Sequence, residues 1–212
     1  MSLQKLLFAC AEILGDDRPI EKQAKQCLLQ AKPRQDIGFG ANNLPPQLDN
    51  IMRRQDALPL CDIIRQMAFC WSPPTTSASP KYIMDSQAKS HVELVGPEGL
   101  AFSDRFRIGL YGMAANSAYG IRTHPAEEIY IMLAGEVFWK VGGGEYTPHY
   151  AGSRSYHPSY TEHANMTKKR PLCLFISGAG RCRPQITIMQ DRQGQAGDSA
   201  IFSLTLPQFF LA

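Results

Sequence analysis

Residues Arg122 to Gly135 read "RTHPAEEIYIMLAG": a histidine, two glutamates and a tyrosine within nine positions, then an apolar run ending at a glycine. If 128 to 134 is a strand, successive side chains alternate between its faces. Glu128, Tyr130 and Met132 then share one face, and Ile129, Ile131 and Leu133 the other. Both faces want cover. The interior of a small barrel supplies one, and N-terminal helices or a second subunit supply the other. A carboxylate pointing inward among apolar neighbours is costly unless it is paired. Something inside must therefore satisfy Glu128, and His124, four residues earlier, is the nearest local candidate.

On both sides of this stretch the chain has the texture of short strands. "HVELVG", "FRIGLYGM", "EVFWKVG", "LCLFISG" and "ITIMQ" are separated by Gly, Pro, Asn and Ser, which predicts an all-β sandwich or barrel. "GEVFWKVGGGEYTPHY" (135–150) predicts a hairpin turning at its glycines. The first seventy residues differ. Leu3, Leu6, Leu7, Cys10 and Leu14 recur at helical spacing up to Gly15. Asp17 is placed to cap a second helix, with Pro19 in its first turn and Ile20, Ala24, Cys27, Leu28 and Ala31 on one face until Pro33. A third follows Pro59, with Leu60, Ile63, Ile64 and Met67 on one face. The proline-rich segment "WSPPTTSASPKY" (71–82) cannot continue a helix and marks the main boundary. The division expected is a helical region over 1–72 packing on the barrel, a β-barrel over 73–190, and a tail or last strand over 191–212.

The 212 residues are 44% apolar and 19% charged, which excludes the composition of a disordered chain. A net charge of +3, with 22 Lys and Arg scattered along the chain, predicts no nucleic-acid partner. No apolar stretch approaches the roughly 18 residues of a membrane span. The N-terminus lacks the pattern of a secretory signal, so a cytoplasmic protein is expected. The cysteines at 10, 27, 61, 70, 173 and 182 match no zinc-binding spacing and read as reduced thiols that pack as small apolar groups.

A second polar cluster, "GSRSYHPSYTEHANM", runs from Gly152 to Met166. Joined to the first, the order is His124, three residues, Glu128, six residues, Gly135; then Gly152, five residues, Pro158, four residues, His163. This spacing resembles the two motifs of the cupin superfamily. The resemblance implies a mainly β, double-stranded β-helix (jelly-roll) barrel with an N-terminal helical region, and it places His124, Glu128 and His163 on metal-ligand positions. Such a ligand set suits a divalent ion such as Zn, Fe(II), Mn or Ni, without choosing among them. One position departs from the pattern: where cupins carry another histidine, two residues before His124, this chain has Arg122. A guanidinium only donates and is always charged. At about 5 Å and an effective dielectric of about 20 it would repel a divalent ion by roughly 7 kcal/mol. Arg122 must then turn away, for instance toward Glu127, or the metal is weak or absent.

"AYGIRTHPAEEIYIMLAGEVFWKV" and "AGSRSYHPSYTEHANM", preceded by "FCWSPP" and "HVELVGPEGL", look like the cupin-type dimethylsulfoniopropionate lyases and their relatives, over roughly Trp71 to Gly180. The resemblance implies a small-molecule substrate cleaved to acrylate and dimethyl sulfide by β-elimination. It puts Tyr130 at the proposed base and Tyr119 at another active-site tyrosine. A metal near Tyr130 would lower a phenol pKa that is otherwise about 10. Tyr119, Tyr160 and Trp139 offer π faces to a sulfonium, with simple core packing as the rival reading of each. Arg122 suits a substrate carboxylate. His157 reads as a residue beside the ligands or at the surface, and His91 and His149 as surface or turn residues. Two other functions stay open: another metal-dependent cupin enzyme, such as a dioxygenase or isomerase, and a non-enzymatic small-molecule binder whose metal site Arg122 has degraded. A homodimer also stays open.

Overall fold

The computed structural model describes residues 1–35, 40, 43–74, 80–179 and 188–189. Five helices come first: α1 (Leu3–Glu12), α2 (Pro19–Gln30), α3 (Pro46–Met52), α4 (Leu60–Arg65) and α5 (Pro80–Ser86). Ser2 caps α1, its side chain accepting from the backbone N–H of Lys5. The cap expected at Asp17 falls instead on Arg18, with no side-chain bond. The reason is Pro19, which drives the residue before it into extended backbone and so makes that residue the boundary. Of the face predicted after Pro59, Leu60, Ile64 and Met67 are buried.

Ten strands follow: β1 (Lys89–Gly96), β2 (Ala101–Phe102), β3 (Phe106–Met113), β4 (Ala118–Thr123), β5 (Glu127–Val141), β6 (Thr147–Tyr150), β7 (Arg154–His157), β8 (His163–Met166), β9 (Leu172–Ala179) and β10 (Ile188–Met189). The pairing path runs β10-β4-β8-β5-β9-β3-β1-β2, with β6 and β7 also on β5. The 15-residue β5 is the hinge of the architecture. Its first half pairs with β9 and β7, and its second half with β6 and β8. The predicted hairpin is the β5–β6 pair, in register from Glu136 opposite Tyr150.

The alternation read in β5 sorts its side chains into two cores. Tyr130 and Met132 join Tyr82, Tyr111, Tyr119 and Trp139 in one cluster. Apart from Tyr82 of α5, its members come from strands far apart on the pairing path, so the sheet curls around it, as in the expected jelly-roll barrel. Ile131 and Leu133 join the second cluster, with Leu6, Leu7 and Leu28 of the helices. The outer face of β5 is thus covered by the chain's own helical layer. Alternation changes phase between Met132 and Val137, where β5 carries a bulge against β9 and Gly135 takes φ +88°. A Cβ on Gly135 would run into the carbonyl of Pro171, so both the dihedral and the close approach call for glycine here. The expectation for the segment after 190 lies outside the described residues.

Candidate active site

His124 stands in the turn between β4 and β5, Glu128 is the second residue of β5, and His163 opens β8. Register places His163 of β8 opposite Arg122 of β4, two residues before His124, and His157 of β7 opposite Glu128 of β5. Nε2 of His124 lies 3.2 Å from Oε2 of Glu128, and Nε2 of His163 lies 3.5 Å from the same oxygen. One ligand atom from each of the three falls within 4.8 Å of the others. Both imidazoles are buried.

Hydrogen bonds at the far side of each ring fix which nitrogen faces inward. Nδ1 of His124 is 3.2 Å from the carbonyl of Ala126, and Nδ1 of His163 is 2.8 Å from that of Thr161. A carbonyl only accepts, so each Nδ1 carries a proton, and in the neutral ring Nε2 presents a bare lone pair. Burial, then the neighbouring Arg122 guanidinium, push His163 down to about 2, so it is neutral at pH 7. Burial raises the Glu128 carboxyl, and only a proton on an imidazole nitrogen facing it, His124 first, holds the group well below the usual range; a cation at the same place would do the work of that proton. Imidazole lone pairs facing a carboxylate in a buried site repel one another unless a cation joins them. Around a tetrahedral ion with bonds of about 2.1 Å, ligand atoms sit roughly 3.4 Å apart. The donor set and its spacing therefore fit a divalent metal.

The wall beside this cluster is aromatic. Tyr130 donates from Oη to Oε2 of Glu128 at 2.8 Å, and its ring centroid lies 4.5 Å from that of Trp139. His157 is fully buried, with ring centroids of Tyr130, Trp139 and His163 between 4.4 and 4.9 Å away. It is thus beside the candidate ligands and not at the surface. Ser155 Oγ and His157 Nε2 are 2.9 Å apart, while Nδ1 is 3.8 Å from Glu128, too long for a hydrogen bond. Burial pushes Tyr130 well above the ordinary phenol value, the Glu128 charge adds to this, and Arg122 works against both. The protein alone therefore does not lower this phenol.

Arg122 does not turn toward Glu127, whose Oε1 accepts instead from the hydroxyl of Tyr156 at 2.7 Å. It points into the barrel, buried, with its guanidinium carbon 3.7 Å from the Tyr119 ring centroid and 6.0 Å from that of Trp139. Tyr119 and Arg122 are three apart yet share this space, because β4 shifts register against β8 between them. Tyr160 is not brought in. Its side chain is 70% exposed at φ +60°, and only its backbone serves the site, its N–H donating to the carbonyl of His124 at 2.8 Å. His91 is half-buried inside β1 rather than in a turn, and His149 lies in β6. Sequence reasoning missed Lys89, the first residue of β1. It is 2% exposed, with Nζ 3.6 Å from the Tyr119 ring centroid. A lysine opening a strand carries no signal of burial; the aromatic character of 111, 119 and 130 was the only hint of an enclosed box for a cation.

A family model described as dimethylsulfoniopropionate lyase matches residues 41–174. The dimethylsulfoniopropionate lyase DddQ of Ruegeria pomeroyi is 34% identical over 87 residues, 41% of this chain; the match spans 43% of that relative's length. The crystal structure of DMSP lyase DddQ from Ruegeria pomeroyi superposes with a TM-score of 0.67 at 22% identity, covering 91% of this chain and 98% of the other. A second crystal structure, among those of the DMSP lyases RdDddP and RnDddQII, gives 0.61 at 17% identity, over 89% and 96%. The two superpositions show a shared fold over about nine-tenths of this chain.

Proposed function

The chain belongs to the dimethylsulfoniopropionate lyase family, and from that membership we propose that it cleaves dimethylsulfoniopropionate to acrylate and dimethyl sulfide by β-elimination, with Tyr130 as the base. The observation that carries this reading is the hydrogen bond from Tyr130 Oη to Glu128 Oε2, which ties the base to the ligand set. His124, Glu128 and His163 would hold a divalent metal, whose charge lowers the pKa of the adjacent phenol and stabilises the carboxylate as it takes up enolate-like charge.

The remaining roles fall to the chain's own groups. Arg122 donates to the substrate carboxylate and holds the α-carbon toward Tyr130. The phenolate of Tyr130 takes the α-proton. The electron pair left on the α-carbon forms the double bond, the β-carbon to sulfur bond breaks with its pair on sulfur, and neutral dimethyl sulfide departs. The proton returns from Tyr130 to solvent. The π faces of Tyr130 and Trp139 receive the sulfonium before it is discharged, and the aromatic wall excludes water. Tyr119 positions the Arg122 guanidinium by stacking under it. The five described cysteines are all free, which supports a reducing, cytoplasmic setting.

Headspace detection of dimethyl sulfide from purified protein and dimethylsulfoniopropionate tests the reading, with Tyr130→Phe as control. The variant removes one oxygen and keeps the ring, so metal content and stability should hold while turnover falls by about 10²-fold or more. No dimethyl sulfide from metal-replete protein would refute the assignment. A variant retaining most of its activity would move the base elsewhere.

A further inference from the structure

Two cations face one tyrosine. Lys89 Nζ and Arg122 Cζ lie 3.6 and 3.7 Å from the centroid of the Tyr119 ring, so they are no further apart than those two distances end to end. Both side chains are more than nine-tenths buried. Among the described residues, Lys89 Nζ, Arg122 Nη1 and the hydroxyl of Tyr111 have no hydrogen-bond partner. The field of Arg122 reaches both Lys89 and Tyr111.

A buried cation is tolerated when an opposite charge or an acceptor meets it. Asp85 of α5 is the acid whose field reaches Lys89, but it also pairs with Lys81 at 3.7 Å. Glu128 is the acid whose field reaches Arg122, and it belongs to the metal-ligand set. Burial, opposed in part by Asp85, pushes the Lys89 ammonium down to about 7. What this corner lacks is an anion with several acceptor lone pairs. A carboxylate matches, since its two oxygens offer several lone pairs to N–H and O–H donors that lack a partner.

We propose that Lys89 and Arg122, with the Tyr111 hydroxyl, form an anion subsite inside the barrel that grips the substrate carboxylate, making Lys89 a substrate-binding residue. For the substrate's identity this rests on the lyase reading above. Lys89 selects for a free acid over its ester or amide, and it directs the cationic end of a zwitterion away from this corner.

Calorimetric titration with propionate and with propionamide, its neutral counterpart, tests the subsite without turnover. Propionate should bind the metal-replete protein at least about tenfold more tightly than propionamide. Lys89→Met should erase most of that preference with metal content unchanged, and Lys89→Arg should restore part of it. In turnover, Lys89→Met should raise KM for dimethylsulfoniopropionate about tenfold or more and change kcat far less. Equal binding of acid and amide by the unaltered protein, or propionate affinity and KM both unmoved in Lys89→Met, would overturn the proposal. If the variants do not fold, equal binding of acid and amide by the unaltered protein still overturns the proposal. Lys89-dependent propionate binding in a protein that releases no dimethyl sulfide would support the subsite and sink the lyase reading. Release of dimethyl sulfide with no role for Lys89 would do the reverse.

Discussion

Arg122 sits opposite His163 in the β4–β8 pairing, beside a set of donors that attracts cations. It lies over an aromatic ring with Nη1 lacking a hydrogen-bond partner, so its cost to a metal is Coulombic and its benefit comes from an anion. Arg122→His should therefore raise divalent-metal affinity about tenfold or more, read by competition with a chelator of known strength, while KM for a carboxylate substrate rises. Unchanged metal affinity would mean that the guanidinium does not feel the ion. At the candidate ligands, His124→Ala and His163→Ala should each cut the metal content of protein purified without chelator, with the fold retained by circular dichroism. Each removes an imidazole from the cluster but neither belongs to the two apolar cores. Full metal in both variants would dissolve the site. Of this cluster, His124, Glu128 and His163 were legible through their motif spacing. Lys89 was not, because its burial depends on Tyr119, which lies thirty positions away, and nothing local to a lysine reports a ring over it.

Strand β5 owes its two-faced character to a single change of phase. Tyr130 and Met132 point into the barrel before the bulge, and Val137 and Trp139 do so after it. Gly135→Ala should lower unfolding free energy by roughly 2–4 kcal/mol in urea titration, because it combines a left-handed dihedral with a clash against backbone. A loss below about 0.5 kcal/mol would mean that the Pro171 segment moves aside freely. The alternation of β5 and the hairpin after it were plain in the sequence, since each covers enough residues for period two to stand out. Helices α3 and α5 were not: each opens on a proline, which reads as a break as readily as a helix start, whereas the shorter α4 showed its face in Leu60, Ile63, Ile64 and Met67. The β4 irregularity was equally hidden: residues 119 and 122 should face opposite ways in a regular strand, and only the pairing with β8 reveals that they do not.

Across the whole molecule, β5 serves both layers. Its outer side chains, Ile131 and Leu133, lock onto the helical layer, and its inner ones carry Glu128 and Tyr130. Hydrogen-bonded neighbours run along it from Glu127 to Val141, on β9 and β7 first and on β6 and β8 afterwards. Residues 128–131 and 138–139 are held by a strand on each side. Native-state hydrogen–deuterium exchange should find the amides of residues 129–133 among the slowest in the protein, opening with a free energy equal to that of global unfolding. Those of 137–140 should follow the same denaturant dependence; a distinctly lower opening energy there would mean that the halves of β5 come apart separately. If they open as one unit, β5 has no partial opening of its own, and an ion bound at Glu128 would have to leave by the route that admits substrate, so that a bound substrate would also close its exit.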